Sequence, residues 1–156
     1  MQLHDNPPRT PALVAQLVTI WAAAVRATHT FLSPAEVTAI QAYVPTALTQ
    51  VPDLCVAVDD QQRPIGFMGV ADHHLEMLFL DPTVRGRGLG RQLLTHGIVA
   101  YQVTSLTVNE QNPQARGFYE HLGFRVTERH AVDEQGQPYP VLTMVLPADA
   151  GPENFD

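Results

Sequence analysis

The segment "VRGRGLGRQLL", Val84–Leu94, constrains this chain more than any other. It follows an apolar run, "HLEMLFL", that Asp81-Pro82 stops, and it leads into "GLGRQLLTHGIVAYQ". There Leu89, Leu93, Leu94 and Ile98 recur on one face at helical period. A strand that turns through glycines into an amphipathic helix predicts a layered α/β domain. Such a turn leaves free backbone N–H groups at a helix N-terminus, where orphan donors and the helix dipole together attract an anion. Gly86, Gly88 and Gly90 permit unusual φ values and close approach of a ligand to the backbone. Arg85, Arg87 and Arg91 add charge-assisted donors. The competing reading is a tight surface turn with no ligand.

Composition narrows the choice of anion. Nine basic residues face sixteen acidic ones, and the net charge of −7 argues against nucleic-acid or anionic-membrane partners. All nine basic residues are arginine, so no lysine is available for a Walker loop. The glycines are spaced GxGxG rather than GxGxxG, and a hairpin precedes the strand instead of a βαβ unit. Glu110 lies at about the distance of a ribose-binding acid, yet the dinucleotide reading is disfavoured.

The remaining elements support one domain over residues 1–146, with 147–156 expected to fray as a tail. Thr10 and Pro11 open a helix whose stripe is Leu13, Leu17, Trp21, Ala24 and Thr28. Ser33 and Glu36 form a capping box for a second helix through about Tyr43, and 44–53 reads as helix end plus loop. "LCVAVDDQQRPIGFMGVAD" predicts a hairpin and "SLTVNE" another strand. Asn112-Pro113 starts a short helix closed by Gly123, and two final strands flank "DEQGQPYP". The fold class is α/β (α+β), with a mixed twisted sheet flanked by helices. A single cysteine, Cys55, excludes a disulfide framework, and the histidine spacing matches no zinc motif, so no metal is expected. No signal peptide is recognisable and no apolar run approaches the ~20 residues of a membrane span. The expected setting is cytoplasmic, as a monomer or homodimer.

Two stretches carry a family resemblance. "RGRGLG", from Arg85 to Gly90, resembles the [QR]-x-x-G-x-[GA] motif of the GNAT superfamily of acyl-CoA N-acyltransferases. "NPQARGFYEHLGF", from Asn112 to Phe124, is similar to that superfamily's N-x-x-A-x-x-x-Y-E-x-x-G-F signature. "RATHTFL" also resembles a stretch of some small bacterial acetyltransferases. The resemblance implies that strands 74–80 and 105–110 splay apart around acetyl-CoA, bound as a cosubstrate. Pantetheine would pair with the backbone of Leu78, Phe79 and Leu80, and Asn112 would touch its arm. The pyrophosphate would lie on Arg85, Gly86, Arg87, Gly88, Leu89, Gly90 and Arg91.

Acetylating an amine requires removal of its proton, polarisation of the thioester carbonyl and stabilisation of the leaving thiolate. Glu76 is the base that the resemblance implies, and strand alternation places it on the face of Leu78 and Leu80. His29, His73 and His74 are alternative bases. Tyr119 matches the family tyrosine that serves the coenzyme sulfur, and a plain core role beside Phe118 and Leu122 competes with that. The amide of Leu80 would polarise the carbonyl. Phe31, Tyr43 and Tyr139, with His29, could line a pocket for a small-molecule or peptide amine. A non-catalytic acyl-CoA-binding regulatory module is the alternative function.

Overall fold

The computed structural model describes residues 1–134 and 136–148. From residue 149 on, the expected tail lies outside the described residues. The elements in chain order are β1 (Gln2–Asp5), α1 (Pro11–Thr28), α2 (Pro34–Gln41), α3 (Val44–Gln50), β2 (Asp53–Val58), β3 (Pro64–Ala71) and β4 (His74–Leu80). After a short 3-10 turn, Pro82–Val84, come α4 (Leu89–Ala100), β5 (Ser105–Asn109), α5 (Pro113–His121), β6 (Arg125–His130) and β7 (Val141–Val145).

The seven strands form one sheet in the order β1-β2-β3-β4-β5-β7-β6. Every neighbouring pair is antiparallel except β4 and β5. A helical layer covers each face. Leu54, Val56 and Phe67 pack with Leu17, Trp21 and Leu48 of α1 and α3. Cys55, Met68 and Val70 pack on the other side with Leu93, Leu94 and Ile98 of α4. Burial on both faces explains why β2 and β3 read as unbroken apolar runs rather than alternating ones.

Helix starts follow their local chemistry. Thr10 Oγ1 accepts from the Leu13 amide at 3.2 Å. Ser33 Oγ accepts from the Glu36 amide at 3.1 Å while Glu36 Oε1 accepts from the Ser33 amide at 2.9 Å. Asn112 Oδ1 accepts from the Ala115 amide at 3.2 Å. Each cap satisfies a donor that the helix itself leaves orphaned.

Three expectations need correction. The second helix stops at Gln41, and 44–50 forms α3 instead of a loop. Pro45 is tolerated because it sits in the first turn, where its missing N–H costs nothing. Val44 and Leu48 are buried, and the Arg9 guanidinium donates to the carbonyls of Leu48 and Thr49 at 3.1 and 3.0 Å. A distant side chain thus satisfies the end of α3. The polar N-terminus supplies a strand as well, β1, paired along β2 from Gln2↔Val58 to Asp5↔Cys55. Finally, the 18 residues of α1 are long and apolar enough, by length and composition, to cross a membrane. In this fold its Leu17, Trp21 and Val25 are spent against the sheet.

Candidate active site

The chemistry-bearing residues converge where the sheet forks. β4 and β5 pair only at His74↔Ser105 and Leu75↔Leu106, and then diverge. Side chains hold the fork at its base: His74 Nδ1 lies 2.7 Å from Ser105 Oγ, and its Nε2 lies 3.3 Å from Thr107 Oγ1. The Thr104 amide also donates to the His73 carbonyl at 2.8 Å. Beyond Leu75 one edge of β4 stays on β3 while the other has no strand partner. A cavity of about 720 Å³ fills the opening, between β4, β5, α5 and the N-terminus of α4.

One end of this cleft is made of backbone. Gly86 and Gly88 have φ of +78° and +77°, the left-handed region that suits glycine. A Cβ at either would meet nothing within 4 Å, so the space they face is open. Gly88 is also the N-cap of α4, and no side chain caps that helix or brings an acid to its first turn. In α1, α2 and α5 a Thr, Ser or Asn fills the same role. The first amides of α4, like those of α3, therefore have no side-chain cap, and those of α4 open onto the cleft. Arg85 and Arg91 line the cleft; Arg87, expected there too, does not. Among the described residues these three arginines make no ion pair, whereas Arg63, Arg116 and Arg129 each meet a carboxylate. Gly90 sits close under Leu80 and Phe118, where a Cβ would lie at 3.4 and 3.5 Å.

The other end is made of side chains, one of them at a β-bulge. Val70 pairs with Leu75 and Gly69 with Met77, which leaves Glu76 as the extra residue. In consequence Leu75, Leu78 and Leu80 pack toward α4, while Met77 and Phe79 pack toward α1. Simple alternation had put Glu76 on the face of Leu78 and Leu80. The bulge leaves Glu76 without a partner on β3, and Glu76 lines the cleft together with Leu78, Leu80, Ala24, Thr28 and His29. Partial desolvation pushes the Glu76 carboxyl above the usual carboxylate range. His74 pulls it back, and Glu134 and Asp72 push it further up.

His29 is the C-cap of α1, its Nδ1 2.8 Å from Thr28 Oγ1, and burial pushes its pKa down. Phe31 backs the His29 ring at 5.4 Å and touches the Tyr139 ring at 5.8 Å. Phe31 thus stands one layer behind the cleft wall. Tyr43 does not join them. It is 67% exposed at the break between α2 and α3, because Val44 and Leu48 take the inward positions there.

Tyr119 lines the cleft from α5, with its ring against Phe118 and Phe124 at 5.3 and 6.2 Å. Burial pushes its hydroxyl up to about 12, so it stays a proton donor at neutral pH. Leu78, Phe79, Leu80, Leu89 and Asn112 line the same cavity. Asn112 also caps α5 through its Oδ1. Sequence reasoning missed Ala24, Thr28, Thr107 and Asn109. Nothing local marks them, since only the divergence of β5 turns them into walls. Cys55 does not line the cleft. It is buried, and its thiol is pushed up to about 12, first by desolvation and then by Asp5. No thiolate nucleophile is poised there.

A family model for an acetyltransferase (GNAT) domain matches residues 22–140. The chain is 45% identical over 132 residues to the peptidyl-lysine N-acetyltransferase YjaB of Salmonella typhimurium, covering 85% of this chain and 90% of that one. The solution structure of apo-form YjaB from Escherichia coli superposes with a TM-score of 0.83 at 40% identity, covering 94% and 98% of the two chains. The PaiA N-acetyltransferase of Thermoplasma acidophilum, solved in complex with coenzyme A, shares the fold at a TM-score of 0.66 and 16% identity, covering 92% and 98%.

Proposed function

This chain belongs to the GNAT acetyltransferase family, and we propose that it moves the acetyl group of acetyl-CoA directly onto a lysine side-chain amine of a peptide or protein. The observation that carries the reading is the contrast between the two ends of one cleft. An uncapped helix N-terminus with unpaired arginines suits a pyrophosphate. A partly desolvated carboxylate in the same cleft suits an ammonium ion. The names of the 45% identical relatives favour a peptide lysine over a free small amine.

Acetyl-CoA supplies the activated acetyl thioester. The open amides at Gly88–Gly90, with Arg85 and Arg91, hold the pyrophosphate. The free edge of β4 at Leu78–Leu80 pairs with the pantetheine amides, and the Leu80 amide donates to the thioester carbonyl. A lysine amine with a pKa of about 10.4 arrives protonated. Glu76 takes that proton, directly or through one water, so that the nitrogen lone pair can attack. The C–N bond forms, the C–S bond breaks, the nitrogen sheds its second proton to solvent, and the Tyr119 hydroxyl donates a hydrogen bond to the thiolate as it leaves. His29, with Phe31 behind it, walls the acceptor's path past the end of α1.

The test is acetyl-CoA with a lysine peptide, read by thiol release and peptide mass. Because the chain contains no lysine, any acetyl-lysine formed must sit on the added peptide. Thiol release with a lysine peptide and not with its arginine counterpart is the expected result. Acetyl-CoA binding without transfer to any amine would favour a regulatory acyl-CoA module instead.

A further inference from the structure

Outside the cleft, one group of three metal-ligating side chains converges among the described residues. The donor atoms of Asp5, Cys55 and His96 all lie within 4.8 Å of one another. Each is held by a regular element. Asp5 ends β1 and stands directly opposite Cys55 of β2 in antiparallel register, so the two side chains leave the sheet on one face. That face is covered by α4, since Cys55 packs with Leu93, Leu94 and Ile98. His96 reaches down from α4 and sets its Nε2 2.8 Å from Asp5 Oδ1. Tyr101, at the end of α4, donates its hydroxyl to the same oxygen and turns its ring edge-on to His96 at 5.6 Å.

We propose that Asp5, Cys55 and His96 bind one zinc-class divalent cation, with a fourth position for the Tyr101 oxygen or a water. A thiolate, an imidazole and a carboxylate are each donors that zinc accepts, and the two anionic ligands balance its charge. Tetrahedral coordination places such donors about 3.4–3.6 Å apart. The His96–Asp5 contact therefore opens slightly and the thiol closes in, both by side-chain rotation. Cys55 binds as thiolate, and its proton passes to solvent as the metal–sulfur bond forms. An entry path exists: Asp5 is exposed, and His96 lines a surface cavity with Leu3, Gln92, Thr95 and Val99. Bound there, the ion staples β1, a strand with one neighbour only, to the helix that carries the anion cradle.

From the sequence no metal is expected, because the cysteine stands alone and the histidine spacing matches no zinc motif. Here the donors lie some fifty and forty residues apart, and pairing with packing brings them together.

The full-length chain, stripped with a chelator, is titrated with Co²⁺ alone. A thiolate-to-cobalt charge-transfer band saturating at one ion per chain is the expected result. That band should vanish in Cys55→Ala and His96→Gln, with folding checked by circular dichroism. Asp5→Asn keeps an acceptor for Tyr101, leaves the core untouched and should weaken cobalt binding, which covers the case in which a core variant misfolds. Zn²⁺ at about 100 times its Kd should raise the Tm of the unaltered chain by roughly 5–10 °C and leave the variants unmoved. A folded chain with no charge-transfer band, a band that survives Cys55→Ala, or an equal Zn²⁺ effect on all variants overturns the proposal. Those outcomes would leave Asp5, His96 and Tyr101 as an ordinary hydrogen-bonded cluster.

Discussion

The two ends of the cleft are built from different materials. The cradle end is backbone: glycines at positive φ, free amides and a helix whose cap is missing. The α1 end is side chain: a carboxylate at a bulge, a histidine at a helix terminus and, behind it, Phe31 against Tyr139 of the β6–β7 turn. Backbone sites demand particular residues at adjacent positions, so they leave a contiguous trace. Side-chain sites draw on positions far apart and leave almost none. The cradle end should accordingly govern cosubstrate affinity, and the α1 end turnover.

The strongest attack on this division is Glu76→Gln. A lost general base should lower kcat by about 10²–10⁴-fold while acetyl-CoA affinity, measured by calorimetry, stays near that of the unaltered chain. The rate of the unaltered chain should fall as pH drops through the Glu76 pKa, a limb lying above the ordinary carboxylate range because the cleft desolvates the charged form. Gln should flatten that limb. The linkage sign adds a control: a carboxyl whose pKa rises on folding opposes folding once ionised, so Glu76→Gln should not lower Tm at neutral pH. If instead His29→Ala removes both rate and limb while Glu76→Gln keeps them, the base is His29.

Next comes Gly88→Val, which forces a β-branched residue into φ +77°. Strain of about 1–3 kcal/mol predicts a loss of acetyl-CoA affinity of roughly tenfold or more, with kcat at saturation much less changed. A variant that keeps its calorimetric affinity would break the cradle assignment. Tyr119→Phe should cost less, roughly tenfold in kcat, since one hydrogen bond is lost and the thiol, with a pKa of about 8.5, can depart as thiolate. An unchanged rate would return Tyr119 to the core beside Phe118 and Phe124.

The smallest effect sharpens the comparison. Asp72 adopts φ +50° in the β3–β4 turn, a conformation asparagine tolerates well. Asp72→Asn removes a negative charge that raises the Glu76 pKa, so the acid limb should move to lower pH. A limb displaced upward, or not at all, would mean that Glu76 is not the group titrating in it.

Within the fold, helix starts were legible because each cap acts over three residues: Thr10, Ser33 with Glu36, and Asn112 each work as their neighbours predict. The strand–turn–helix at Val84–Leu94 was legible for the same reason, as backbone conformation is chosen locally by glycine. α3 was not, because its last carbonyls are satisfied by Arg9 from far along the chain. Nor was β1, whose single core-packing side chain, Leu3, makes no pattern until β2 lies alongside it.

The sequence by itself therefore determined the glycine turn into α4, the caps of α1, α2 and α5, the α/β class and the acetyltransferase family. The turn, the caps and the class depend on φ preferences, short-range hydrogen bonds and hydrophobic period, and the family on the two motifs at Arg85–Gly90 and Asn112–Phe124. Tertiary structure alone decided that Glu76 falls at a bulge, that Tyr43 faces solvent, and that Cys55 meets Asp5 and His96. Side-chain direction on a strand follows the pairing register, and one extra residue at the Gly69–Val70 step puts Leu75 on the same side as Leu78 and Leu80, where strict alternation would part them. Register is settled between strands, where no single segment carries the instruction.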